Sequence, residues 1–247
     1  MRATPPAPGE NFSDHFPGDV LEYLEDLPKY NNWIVSQFLP TLTGRAVEIG
    51  AGLGTISQRL LPAVDSLELV EPAPVLAAEL RKKFAHEKDV RVVHESLEDW
   101  MLGTADDSFD SIVLVNVLEH IKDDFAAARG LHRSLAVGGR LMIFVPALPF
   151  LYSKLDYIYG HYRRYTRKTL RECIAEAGFE IEKLHFVDAA GVFPWWLLNT
   201  VMGKTSFHQP SLRVYDKFVV PVTRACESII PLPLGKNLIL IARKVAD

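Results

Sequence analysis

Five short apolar runs, Arg45–Ile49, Ser66–Val70, Val90–His94, Phe109–Asn116 and Gly139–Val145, recur along the chain, and the stretches between them carry helical spacing. Runs of this length read as strands buried on both faces, which is how parallel strands are placed. Parallel neighbours cannot be joined by a tight hairpin, so each crossover must be long, and here it reads as a helix. The intervening helices fall at about Gly54–Leu61, Pro74–Phe84 and Asp123–Leu135, the last ending before the Gly138-Gly139 turn. An α/β fold with an open parallel sheet and helices on both faces follows.

The rhythm changes at both ends. Residues 1–18 are rich in Pro and Gly and predict an irregular arm, after which Asp19 is a plausible N-cap for Val20, Leu21, Leu24 and Leu27 on one helical face. A second helix carries Trp33, Ile34 and Phe38 up to Pro40. Residues 1–40 are therefore read as an arm with covering helices, and 41–247 as the main domain. After Val145 comes a long aromatic loop, then a helix capped by Thr166 with Leu170, Ile174 and Ala177 on one face. Glu180–Val187 and Asn237–Val245 read as two further strands. The stretch 189–236 between them is too long for a turn and too apolar for a solvated loop, so it predicts a helical cap.

Composition narrows the partners. Of 247 residues 48% are hydrophobic, enough for one substantial core, and the formal net charge of −4 offers no field for a phosphate backbone. Nucleic acid is a poor partner for such a chain. Cys173 and Cys226 form no metal-binding pair, there is no secretory leader pattern, and the expectation is a reduced, cytoplasmic protein, monomeric or homodimeric. The most apolar stretch, Phe186 to Gly203, is broken by Asp188, Gly191, Pro194 and Asn199 and falls short of the roughly 20 apolar residues of a membrane span. Peripheral membrane contact stays open.

The chemistry is carried by Val47-Glu48-Ile49-Gly50-Ala51-Gly52-Leu53-Gly54-Thr55, which closes the first strand. Gly50 and Gly52 lack the Cβ that would keep a ligand from the backbone N–H groups. Glu71 ends the next strand, where a carboxylate accepts hydrogen bonds from the two hydroxyls of a ribose. A glycine turn alone also suits ordinary packing; the pair points to a nucleoside. A nicotinamide-dependent oxidoreductase would use the same acidic position, but its G-x-G-x-x-G spacing places the third glycine where Thr55 stands, and no Y-x-x-x-K set lies near the fifth strand. A non-catalytic nucleoside-binding protein is the other alternative.

Taken with its neighbours, the turn resembles motif I of the class I S-adenosylmethionine-dependent methyltransferases. Leu69-Val70-Glu71-Pro72 is similar to that family's acidic second motif, Phe109 through His120 to its fourth-strand motif, and Gly138-Gly139-Arg140-Leu141 to the turn into its fifth strand. The resemblance covers about 42–146. It implies a Rossmann-like seven-stranded sheet of order 3-2-1-4-5-7-6 with the seventh strand antiparallel, and S-adenosyl-L-methionine as cofactor. It further implies that Glu48, Gly50 and Gly52 face the methionine portion, that Glu71 and Pro72 lie at the ribose, and that Asn116, Val117 and His120 lie near the methionine end. Ser96 and Leu97 match the adenine positions, although Ser96 stands where an Asp is usual. Either Ser96 contacts adenine weakly or Glu98 supplies the carboxylate. Tyr30 is the candidate for closing over the cofactor from the N-terminal side.

The acceptor is expected beside Asp156-Tyr157-Ile158-Tyr159-Gly160-His161-Tyr162-Arg163-Arg164-Tyr165, because ligands of open α/β sheets lie at the carboxyl ends of the strands. A similar Gly-His-x-Arg-Arg-Tyr segment occurs in a subgroup of bacterial methyltransferases acting on small molecules, sugars or lipid-linked intermediates. His161, Tyr157 and Arg164 are the candidate catalytic residues: His161 as general base, Arg163 or Arg164 as a carboxylate or phosphate site, with a structural clamp as the competing reading. No metal is required, since Asn116 with Asp123 and Asp124 only weakly imitates a ligand set and the aspartates suit a helix N-terminus. The expected reaction is methyl transfer by in-line displacement to O or N of a small, partly hydrophobic metabolite.

Overall fold

The computed structural model describes residues 27–206, 208–230 and 232–246. The Pro-rich arm and the helix expected from Asp19 lie outside them. Seven strands form one sheet in the order β3-β2-β1-β4-β5-β7-β6: β1 Arg45–Ile49, β2 Ser66–Val70, β3 Val90–Val93, β4 Phe109–Val115, β5 Leu135–Pro146, β6 Phe179–Val187 and β7 Asn237–Lys244. The first five pair in parallel, and β7 runs antiparallel to both β5 and β6. This is the topology implied by the resemblance.

Alternation along the strands divides the core. Val47, Ile49, Ile112, Leu114, Leu141 and Ile143 face one layer of helices, which contributes Ala128 and Leu131 from Asp124–Ser134 and Leu170 and Ile174 from Arg167–Glu176. Ala46, Leu69, Val113, Met142 and Phe144 face the other, where α1 (Pro28–Phe38) packs Trp33, Ile34 and Phe38. Side chains of period two on a sheet covered on both sides explain why each strand reads as an unbroken apolar run.

Two expectations are corrected, and a third gains detail. The helix after the glycine turn is a single α-turn, Ser57–Leu60, continued by a 3-10 turn Leu61–Ala63, because residues 51–56 are spent on the turn itself. The helix before β5 ends at Ser134, and β5 begins at Leu135 rather than Gly139; Leu135 pairs with Phe109, and the register shifts before Arg140 pairs with Ser111. The cap is helical as expected, but Trp196–Val201 and Tyr215–Val219 are π-helical turns within it.

Candidate functional site

The carboxyl ends of β1, β2 and β4 converge. Gly50, Gly52 and Gly54 all have positive φ (+71°, +56° and +74°). A Cβ at Gly50 would stand 2.5 Å from Val117 Cγ2, so the turn after β1 abuts the turn after β4 and only glycine permits it. Gly54 is required for packing: a Cβ there would meet Phe84 at 2.7 Å and Leu80 at 2.9 Å. Asn116, which follows β4, is also left-handed at φ +54° and donates its backbone amide to Phe144 O at 2.9 Å.

Two carboxylates line this junction. Glu71 accepts from Gly52 N at 2.8 Å through Oε2 and from Ala73 N at 2.9 Å through Oε1. Burial raises its carboxyl, and the two backbone donors oppose that rise. Glu48 is 2% exposed, accepts from Ser57 Oγ, and is pushed up to about 8, mainly by burial. A buried carboxyl with one neutral donor has capacity for a cation, and an aminoacyl ammonium supplies one. Gly50, Gly52, Glu48 and Glu71 thus fit the methionine and ribose portions of S-adenosylmethionine. Pro72 follows Glu71 at the surface, its carbonyl 3.1 Å from His94 Nε2.

Other expected residues make structural contacts of their own. Ser96 is the N-cap of Leu97–Gly103, accepting from Asp99 N at 3.1 Å and donating to Asp99 Oδ2 at 2.7 Å, while Leu97 is core. Tyr30 donates to Asp188 Oδ2 at 2.9 Å and accepts from Asn237 Nδ2 at 2.7 Å, which ties it to the ends of β6 and β7.

The aromatic loop closes at its base, where Ala147 bridges Tyr165 and Leu148 N donates to Tyr165 O at 3.0 Å. Inside it, Asp156 is fully buried and collects Ser153 N and Oγ (2.8 Å each), Arg164 Nε (2.8 Å) and His161 Nδ1 (3.0 Å). Burial works to raise the Asp156 carboxyl, and its bonds to His161 and Arg164 more than offset this and hold it low. Arg164 also donates to Ala147 O at 3.2 Å and stacks over Trp195 at 4.6 Å. Arg163 pairs with Asp124 at 2.5 Å, and Tyr165 donates to the same carboxylate at 2.8 Å. Both arginines therefore clamp the loop, as does Asp124. Tyr157 is half-buried on the short helix Lys154–Ile158.

His161 turns toward the end of β4. Its ring meets that of His120 edge to face, centroids 4.6 Å apart at 88°. Burial, with His161 beside it, holds His120 down to about 3. Glu119, fully buried, is pushed up to about 7 by burial, against the pull of His161 and Arg164. Among the described residues no other residue donates a hydrogen bond to Oε1 or Oε2 of Glu119. Sequence reasoning gave Glu119 no role of its own; a carboxylate set within Val117-Leu118-Glu119-His120-Ile121 was the available signal.

A family model described as a methyltransferase domain matches residues 19–184. The chain belongs to this methyltransferase domain family. No individual curated sequence is similar enough to register as a relative. Among solved structures, a chain from a Haloferax volcanii complex containing the Trm112 methyltransferase activator matches at TM-score 0.67 and 15% identity, covering 97% of this chain and 100% of that one. Haemonchus contortus phosphoethanolamine N-methyltransferase 2, in complex with phosphomonomethylethanolamine and S-adenosylhomocysteine, matches at TM-score 0.66 and 15% identity, covering 97% and 61%. The [4+2]-cyclase SpnF matches at TM-score 0.58 and 18% identity, covering 89% and 82%. Identities this low establish the methyltransferase fold alone, and the cyclase illustrates why chemistry must be argued from the site. Among the described residues no helix is long and apolar enough to cross a membrane.

Proposed function

We propose that this methyltransferase-family chain uses S-adenosyl-L-methionine to methylate O or N of a small, partly hydrophobic acceptor. The observation that carries the reading is the Gly50–Val117 approach with Glu71 beside it: a backbone cradle that a Cβ would fill, next to a carboxylate suited to a ribose. Glu48 would hold the ammonium of the methionine portion, and Asn116 and Val117 would border its methyl end. When bound, the cofactor would supply an electrophilic methyl on sulfonium sulfur, with the sulfur taking the C–S electron pair as leaving group.

The chain then has to align the acceptor and take up a proton where the nucleophile carries one. His161 is the group for both tasks: Asp156 holds Nδ1 and fixes the ring, leaving Nε2 to face the acceptor. Arg164 and Asp156 are positioning residues, since both are buried and spent on one another. Exposed Phe193, Trp196 and Phe218 in the cap favour an acceptor with an apolar part.

Titration with S-adenosylhomocysteine and, separately, NAD tests the reading. Saturable binding of the first and none of the second is expected, with Glu71→Ala weakening binding at least tenfold. Unchanged affinity in Glu71→Ala removes the site assignment, and NAD binding replaces it with the oxidoreductase.

A further inference from the structure

Glu119 and His120 leave the end of β4 on a single 3-10 turn, Leu118–His120, and His161 reaches them from the loop after β5. One donor atom from each of the three lies within 4.8 Å of the others. We infer that Glu119, His120 and His161 form a binding site for a divalent first-row transition-metal ion, bordering the turn that packs on Gly50.

The donor set carries the inference. A carboxylate withdrawn from water with no other residue donating to either oxygen is costly unless something compensates it, and two imidazoles offer ligand atoms beside it. Two imidazole nitrogens and one carboxylate suit zinc, iron(II) or manganese(II) and leave coordination positions open. Metal–ligand bonds of about 2.0–2.2 Å put neighbouring donors about 3.3 Å apart, so donors already within 4.8 Å close on an ion by side-chain rotation.

The surroundings match those of a ligating histidine. Such a histidine usually gives its second nitrogen to a carboxylate, which fixes the tautomer and the ring plane. His161 gives Nδ1 to Asp156 at 3.0 Å, and Asp156 is itself held by Ser153 and Arg164. The backbone is pinned as well: His161 N donates to Asp156 O at 2.9 Å, and Tyr162 N donates to Glu119 O at 2.8 Å, joining the two ligand-bearing segments. A resident cation would balance the Glu119 carboxylate.

The placement rests on the function proposed above and changes one part of it: with an ion bound, His161 Nε2 is a ligand instead of a proton acceptor, and an acceptor oxygen or nitrogen would fill an open position on the metal. The test does not depend on it. Metal-stripped protein is titrated with Zn2+ by calorimetry and with Co2+ by visible absorption, and S-adenosylhomocysteine is titrated in the same buffer with and without metal. Expected are one ion per chain, d–d absorption from bound Co2+, loss of binding in Glu119→Gln and His161→Ala, and a 10- to 100-fold weaker site in Asp156→Asn. Absence of one-to-one binding by the unmodified protein, or binding that Glu119→Gln leaves intact, overturns the inference. S-adenosylhomocysteine binding without metal binding rejects the metal site and leaves the methyltransferase reading standing; metal binding alone does the reverse.

Discussion

Arg164 donates from Nε to Asp156 Oδ1 across 2.8 Å, and neither side chain has appreciable contact with water. Removing one partner of a buried ion pair strands the other charge, at a cost of about 3–5 kcal/mol. Arg164→Ala is therefore expected to lower stability by that amount in denaturant unfolding. Arg164→Lys should recover little, because an ammonium cannot also serve Ala147 O and the face of Trp195 as the guanidinium does. A change confined to activity, with the unfolding midpoint intact, would return Arg164 to substrate binding.

Glu48 predicts a pH dependence. Its carboxyl is raised from 4.5 to about 8 in the fold, chiefly by burial. For a folded value above the unfolded one, the contribution to stability is fully present below pH 4.5 and is lost as pH rises to about 8. Glu119, pushed to about 7, adds a slope of the same sign, so the difference between wild type and Glu48→Gln isolates the Glu48 part. Melting temperatures of Glu48→Gln should fall less across this window. S-adenosylhomocysteine should bind wild type more tightly as pH rises through the same range, because its ammonium favours the ionised carboxylate.

Gly50 joins local conformation to ligand binding. An L-residue at φ +71° is strained by about 1–2 kcal/mol, and the added Cβ collides with Val117. Gly50→Ala is expected to lose that stability and to weaken S-adenosylhomocysteine binding at least tenfold. Adding Val117→Ala relieves the collision but not the backbone strain, so the double variant should recover affinity only in part. Full recovery would show that side-chain crowding, rather than backbone conformation, governs the turn.

Much of this architecture was legible in the chain because buried parallel strands write themselves as apolar runs. Gly50 and Glu71 announce their junction through spacing at two strand ends. The start of β5 was less accessible: Leu135 closes an apolar helical face and opens a strand, and only its pairing with Phe109 decides between them. The cap was visible as apolar length, but its π-helical turns arise from tertiary packing that periodicity does not encode. Glu119 was hidden for another reason. A motif reading attends to residue type and order, whereas its interest lies in being fully buried with no hydrogen bond from another residue. Asp188 was hidden by distance in sequence instead: it is fully buried, and its partners Tyr30, Tyr215 and Lys236 are scattered along the chain.

Tyr30 decides what the covering helix does. Its hydroxyl donates to Asp188 and accepts from Asn237, and burial together with Asp188 holds the phenol well above its ordinary range. Its amide also donates to Asp216 Oδ1 at 2.8 Å, so one residue joins α1 to the ends of β6 and β7 and to the cap. Tyr30→Phe leaves the ring in place against Phe144 and Trp33 and removes only the hydroxyl. Asp188 keeps Lys236, Tyr215 and Gly191 N, so the burden falls on the buried Asn237 amide, and a loss of about 1–3 kcal/mol is expected. Affinity for S-adenosylhomocysteine should stay within about twofold, which is under 0.5 kcal/mol. A tenfold loss of affinity at unchanged stability would instead place the Tyr30 hydroxyl on the cofactor and make the bond to Asp188 the resting position of a residue that swings inward on binding.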